Sequence, residues 1–294
     1  MSEMKFTVPP EYDGETVQTF LRQYHGFSWR MVVRLKHTEN GITVNGQLRR
    51  SIDLIRSGEE LVLKLPEDAI RVEEADLPLN VVYEDDSLLV VDKPPYLAVH
   101  PSAFKPEPTL ANVVVGYYAK QGQSHAFRPT NRLDRNTSGL LLTAKNAHVA
   151  YALAHKVDKT YLAIVLGKLE GEGVIDQPIR IKDGCTITRE VGEGGKESRT
   201  HYKALATDGE ISLVRLWLET GRTHQIRVHM SWLGFPLVGD TMYGTDESIL
   251  PRHALHCAEM AFTHPLTGGR VKLYSPLPPD MRECLAKHGL EEFA

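Results

Sequence analysis

The strongest constraint in this chain is the run Asn131-Arg132-Leu133-Asp134-Arg135-Asn136-Thr137-Ser138-Gly139, followed at once by Leu140-Leu141-Leu142-Thr143. A short polar segment rich in turn formers gives way to an apolar run of strand length, so the chain turns and then buries a strand. Asp134 stands between two arginines on that turn, beside a rigid element, which is where functional side chains concentrate. Spacing alone leaves two readings level: a carboxylate that does chemistry, or a turn residue with surface arginines around it.

At 294 residues the chain has room for one large domain or two unequal ones. No apolar run approaches the roughly 20 residues of a membrane span, and Met1-Ser2-Glu3-Met4-Lys5 reads as no signal peptide. Cys185, Cys257 and Cys284 are scattered, which argues against a zinc site or disulfide framework and fits a reducing cytoplasm. The net charge of -4 does not advertise nucleic-acid binding, but segments can depart from the total.

The first segment does depart. Val17, Phe20 and Leu21 give one helical face, and Ser28 is placed to cap a second helix carrying Met31, Val32, Val33 and Leu35. Asn40-Gly41 ends it, Ile42-Thr43-Val44 enters a tight Asn45-Gly46 turn, and Leu61 to Leu65 alternates as a strand. From Arg22 to Arg56 seven basic residues face only Glu39 and Asp53, a local excess of five. Two short helices and a strand-turn-strand with that charge suit a small RNA-binding module.

Pro66 to Pro78 is acidic and proline-flanked and reads as an interdomain linker. Two β-rich runs then flank Glu84-Asp85-Asp86, predicting a hairpin that ends at Lys93-Pro94-Pro95; His100 beyond it is taken as a loop histidine. Leu110 to Gln121 has helical spacing, Asn146 caps a further helix, and Lys159 to Gly167 reads as a buried strand with Tyr161 at its entrance. Gly184 to Ser198 is expected to be a mobile surface loop that either grips a partner or joins two strands. After the strand Leu213 to Leu218, Thr223 is the expected N-cap of a helix running toward Gly234, with His224 and Arg227 sharing a face. His224 and His229 lie five apart on different faces, which does not make a metal site. Helices interspersed with hairpins predict an α+β fold around a mixed, largely antiparallel sheet.

Phosphate-binding and dinucleotide-binding glycine motifs are absent, as is the serine-hydrolase elbow. A lone aspartate, a tyrosine at a strand entrance and an arginine in a helix suit a cofactor-free, metal-free reaction with Asp134 as nucleophile or base. A glycosidase would need two marked carboxylates, and only one stands out in this stretch.

Taken together, these segments resemble the RluA-type family of pseudouridine synthases, in the branch with an N-terminal alpha-L RNA-binding domain. The first domain matches at Thr19-Phe20-Leu21, Phe27-Ser28-Trp29-Arg30, Gly41 to Gly46 and Ile55 to Leu61. The catalytic signature, usually His-Arg-Leu-Asp-x-x-Thr-Ser-Gly-Leu-Leu, stands here as Asn131 to Leu141 with Asn in place of His. Lys159-Thr160-Tyr161, Gly221 to Met230, Pro236 to Asp240, Tyr243-Gly244, Leu255-His256-Cys257 and His264-Pro265 continue the match.

The resemblance implies a catalytic domain of pseudouridine synthase type over residues 81–294, a linker over 67–80 and an RNA-binding domain of small α/β type over 1–66. It implies isomerisation of uridine in RNA, ribosomal rather than transfer RNA, by a cytoplasmic monomer without membrane, metal or cofactor. Asp134, Tyr161 and Arg227 are the implied catalytic residues, with Arg132 filling the space left by the flipped base. Asn131 leaves any histidine-specific role there without its residue. A chain with a silent site would instead be an RNA-binding or ribosome-assembly factor, against which the intact Asp134, Tyr161 and Arg227 set argues.

Overall fold

The computed structural model describes residues 3–65, 72–101, 108–154, 156–244 and 248–293. The first unit is an antiparallel sheet of β1 (Glu3–Thr7), β2 (Ile42–Val44), β3 (Gln47–Leu48) and β4 (Glu60–Lys64), in the order β1-β4-β2-β3. Helix α1 (Val17–Thr19) runs on as a π-helical turn through Phe20–Tyr24, and α2 (Trp29–Lys36) follows. Ser28 caps α2 as expected, its hydroxyl accepting from the Met31 N–H. Asn45 and Gly46 both take positive φ (47° and 77°), the backbone a two-residue hairpin requires. Phe20, Leu21, Val32, Leu35, Leu61 and Leu63 form this unit's own core.

The second unit contains β5 (Val81–Glu84), β6 (Leu88–Lys93), α3 (Leu110–Lys120), β7 (Ser138–Ala144), α4 (Ala147–Leu153), β8 (Asp158–Leu166), β9 (Glu172–Asp176), β10 (Ile179–Ile181) and β11 (Arg189–Val191). It is completed by β12 (Arg199–Thr207), β13 (Ile211–Leu218), α5 (Gln225–Trp232), β14 (Leu255–Thr263), β15 (Arg270–Tyr274) and α6 (Pro279–Lys287). Nine strands form one sheet, in the order β5-β6-β7-β14-β8-β13-β12-β9 with β15 beside β14. Only β7 and β14 pair in parallel among the described strands, so the mixed, largely antiparallel α+β architecture is as expected. Every residue of β7 is buried, which is why its centre, Leu140-Leu141-Leu142, is an unbroken apolar run rather than an alternating one. Gly139 is required where β7 meets β14: its φ is +106°, and a Cβ there would lie 2.3 Å from the Cys257 carbonyl oxygen.

Three expectations need correction or refinement. The segment Gly184 to Ser198 is not simply a loop: Arg189–Val191 pairs with Ile179–Ile181 as a short ribbon, and Lys196 bridges back to Ile179. Three strand residues among glycines carry too little period to be read locally, and the ladder comes from the distant partner. The N-cap of α5 is His224 in the left-handed region (φ 58°, ψ 19°), not Thr223. Gln225 displaces the threonine, its side-chain oxygen accepting from the Arg222 N–H and the Thr220 hydroxyl. Of the linker, residues 67–71 lie outside the described residues, while Glu73 and Ala75 are laid along α3 by hydrogen bonds with Asn112.

The two units meet where the Phe27 ring stacks on His148 of α4 at 3.7 Å between centroids, and Ala147 packs on the first core. Among the described residues no helix is long and apolar enough to cross a membrane.

Candidate active site

Asp134 sits on the turn that feeds β7, closed by the Thr137 N–H donating to the Asp134 carbonyl at 3.1 Å. Buried side chains grip this turn from behind, residue by residue. The Lys93 ammonium donates to the carbonyls of Arg135, Pro94 and Leu97 at 3.1, 2.7 and 2.9 Å. Arg252 donates to the Asn136 carbonyl at 3.0 Å while its fork holds Asp280 at 2.7 and 3.0 Å. The Thr137 hydroxyl meets His253 Nε2 at 2.9 Å, and the Ser138 hydroxyl meets His256 Nδ1 at 3.0 Å. Burial, with the Arg252 charge nearby, pushes Lys93 down to about 7. The three carbonyls nonetheless match the three N–H donors of its charged form.

Asn131 explains how the turn tolerates this residue. Its side chain bridges to β7, the oxygen accepting from the Leu142 N–H at 3.0 Å and the amide donating to the Leu140 carbonyl at 3.3 Å. The turn is therefore stitched to the strand by a neutral side chain with one donor and one acceptor in use.

Arg227, from the middle of α5, arrives in front. Its Nη1 donates to Asp134 Oδ2 at 3.2 Å. The other edge of the guanidinium is clamped bidentately by Asp240, with Nε and Nη2 each 2.7 Å from a carboxylate oxygen. Asp240 is 1% exposed and Arg227 7%, so this is a buried pair with defined geometry. Burial alone would lower the Arg227 pKa, but the Asp240 hydrogen bonds and charge reverse that and raise it. Asp240 is the second acid beside the site that the linear sequence did not single out. The quoted run Pro236 to Asp240 contains it, but nothing local marks it as Arg227's partner. Since Arg227 occupies both its oxygens, it does not form a free carboxylate pair with Asp134.

His224 reaches the same carboxylate, its Nε2 3.8 Å from Asp134 Oδ2. Its Nδ1 lies 2.8 Å from the Tyr243 hydroxyl, whose oxygen accepts from the Arg189 N–H at 3.0 Å. The Arg227 guanidinium also lies over the Tyr243 ring at 5.0 Å.

Tyr161 is buried on β8 opposite Cys257 of β14. Burial first, then the Cys257 and Asp134 charges, raise the tyrosine well above its ordinary pKa. Arg132 points out to solvent and is close enough to reinforce the burial that lowers His100. The structure thus brings Arg227 and Tyr161 to Asp134, while the exposed Arg132 lies two residues before it on the turn. One further group of possible ligand type, Asp208, Glu210 and His288, sits outside this cluster by the β12–β13 turn.

Comparison with known proteins names the class to which this chain and its nine-stranded mixed sheet belong. The family model described as RNA pseudouridylate synthase matches residues 87–232. The uncharacterized RNA pseudouridine synthase YjbO of Bacillus subtilis is 36% identical over 268 residues, covering 88% of this chain and 95% of the relative. Ribosomal large subunit pseudouridine synthase D of Pseudomonas aeruginosa is 39% identical over 259 residues, 81% of each chain. Among solved structures, human RNA pseudouridylate synthase domain containing 1 is similar with a TM-score of 0.57 and 30% identity, over 70% of this chain and 87% of that one. The chain belongs to the RluA/RluD-like family of RNA pseudouridine synthases, isomerases that convert uridine in RNA to pseudouridine.

Proposed function

We propose that this isomerase acts on ribosomal RNA and that Asp134 is the residue that engages the target ribose, as nucleophile or as base. The posture of its carboxylate carries the reading. Oδ2 is held by Arg227 with His224 beyond, whereas Oδ1 has no hydrogen-bond partner among the described residues. One oxygen is therefore fixed and the other left for chemistry, and the turn beneath cannot drift because four buried side chains hold it. Arg227 cannot swing away because Asp240 clamps its other edge.

The reaction breaks N1–C1′, forms C5–C1′ and moves a proton from carbon 5 to N1, a balance that calls for no redox partner or cofactor. Tyr161, kept as a neutral phenol, is the ring we assign to uracil, and the exposed Arg132 is the side chain we assign to the gap left by a flipped nucleotide. Residues 1–66 serve as the RNA-binding module, 67–80 as the connection and 81–294 as the catalytic domain. The module's Trp29 is 51% exposed and has Arg22 and Lys36 over its ring, a surface suited to unpaired bases. Ribosomal RNA is favoured by what the Pseudomonas relative is named for. A cytoplasmic monomer is the setting we infer, in keeping with three unpaired cysteines.

The test uses ribosomal RNA labelled with tritium at uracil carbon 5. Wild-type protein should release tritium and Asp134→Asn should not; release that persists in the variant would sink Asp134 as the catalyst.

A further inference from the structure

The isomerisation must remove the proton from uracil carbon 5 once that carbon is joined to C1′, a step separate from the one Asp134 performs on the sugar, and by then Asp134 is again a carboxylate tied to Arg227. We propose that His224 is the base that takes this proton. The inference rests on the reading of Asp134 above.

The described groups around Asp134 leave little choice. Arg227 is fully protonated, and Asp240 has both oxygens on Arg227. Tyr161 and Tyr243 are both raised by burial and stay protonated; the Cys257 thiol, also buried, is pushed up to about 12. Lys93 lies behind the turn with its nitrogen committed to three carbonyls, and the Nε2 of His253 is occupied by Thr137. His224 differs on each count. Its Nε2 faces Asp134 at 3.8 Å, too long for a hydrogen bond, so that nitrogen is uncommitted.

Three features prepare the ring. Nδ1 lies 2.8 Å from the Tyr243 oxygen; in the tautomer the proposal requires, Nδ1–H donates to that oxygen, which also accepts the Arg189 N–H, and the lone pair sits on Nε2. Burial lowers the pKa of the ring, opposed by Asp134 and helped by Arg227, so it is neutral and able to accept at neutral pH. The backbone at His224 is left-handed, a strained conformation for a non-glycine residue that gathers at functional sites. When C5–H breaks, its electron pair returns to the uracil ring, the proton goes to Nε2, and the imidazolium is formed beside the carboxylate of Asp134. The ribbon that contributes Arg189 thus enters the site through one backbone N–H.

The experiment compares two substrates in single turnover: RNA tritiated at uracil carbon 5, and the same RNA carrying 5-fluorouridine. The fluorinated carbon can be joined to C1′ but has no proton to lose. His224→Gln should slow tritium release by about 10²- to 10⁴-fold, the range for a positioned general base, and consume the fluorinated RNA at the wild-type rate. Tyr243→Phe, which leaves the histidine but removes its orienting oxygen, should show the same split to a smaller degree. Asp134→Asn should block both substrates, which separates failure of this inference from failure of the Asp134 reading. Equal slowing on both substrates in the two histidine-axis variants would make His224 a scaffold residue, and unchanged tritium release would also overturn the proposal.

Discussion

Asp240→Asn tests the architecture of the site more sharply than removal of the reacting groups does. The substitution keeps the shape of the side chain and removes its charge. One oxygen can still accept from Arg227, but an NH2 now faces either Nε or Nη2, where both groups are donors at a separation of 2.7 Å. Breaking one side of a buried pair of this kind costs about 3–5 kcal/mol, because the remaining charge stays buried without its partner. Exposures of 1% and 7% leave solvent little chance to compensate. Part of the loss should appear as function. Freed on one edge, the guanidinium turns toward its other partner, Asp134 at 3.2 Å, and takes up the carboxylate that the reaction needs. If about 3 kcal/mol of that loss reaches the transition state, the rate falls by about 100-fold. Urea unfolding gives the first quantity and single-turnover tritium release the second. A variant with wild-type stability and rate would refute the claim that Asp240 holds Arg227 in place.

Two further outcomes are expected. Trp29→Ala should weaken binding to single-stranded RNA by about 1–3 kcal/mol while single-turnover chemistry at saturating RNA is unchanged, since base stacking on an aromatic is worth that much; equal affinity in a filter-binding assay would remove Trp29 from the interface. His148 is pushed down to about 4, chiefly by burial, from an unfolded value near 6.5. The unfolded chain therefore binds the proton first, so the stability His148 contributes is intact above about 6.5 and is lost as pH falls toward about 4, by up to about 3 kcal/mol. His148→Phe keeps the stack on Phe27 and removes the titration, so its thermal unfolding curve should vary less with pH over that window than the wild type's; identical pH profiles would reject the assignment.

Which parts of this molecule were legible in the sequence follows from the range of the interactions involved. The Asn45-Gly46 hairpin, the Ser28 and Asn146 caps and the apolar β7 rest on contacts within a few residues, where period and turn chemistry are direct signals. Ribbon β10–β11 is short and glycine-flanked, so its pairing left no period to find. At α5 the local signal misled: Thr223 is the better cap by propensity, yet His224 occupies the cap position in a conformation that propensity disfavours. A sequence rule fails there because the histidine is held by Tyr243 and directed at Asp134, both far along the chain.

The same reasoning explains why the supports of the site were harder to see than the site itself. Asp134 and Arg227 stand in recognisable motifs although 93 residues separate them. Arg252 and Lys93, by contrast, look like ordinary charged residues beside a proline, and only the fold turns them inward. Arg252 reaches Asn136 across 116 residues, and Lys93 reaches Arg135 across 42, each to a backbone carbonyl that any amino acid would supply. A side chain that binds a carbonyl leaves no complementary residue type to search for, unlike a carboxylate that must meet a guanidinium. The cost of burying those two cations is offset by fixing the turn under Asp134, and fixed geometry is what lets one oxygen of that carboxylate be held while the other is left to react.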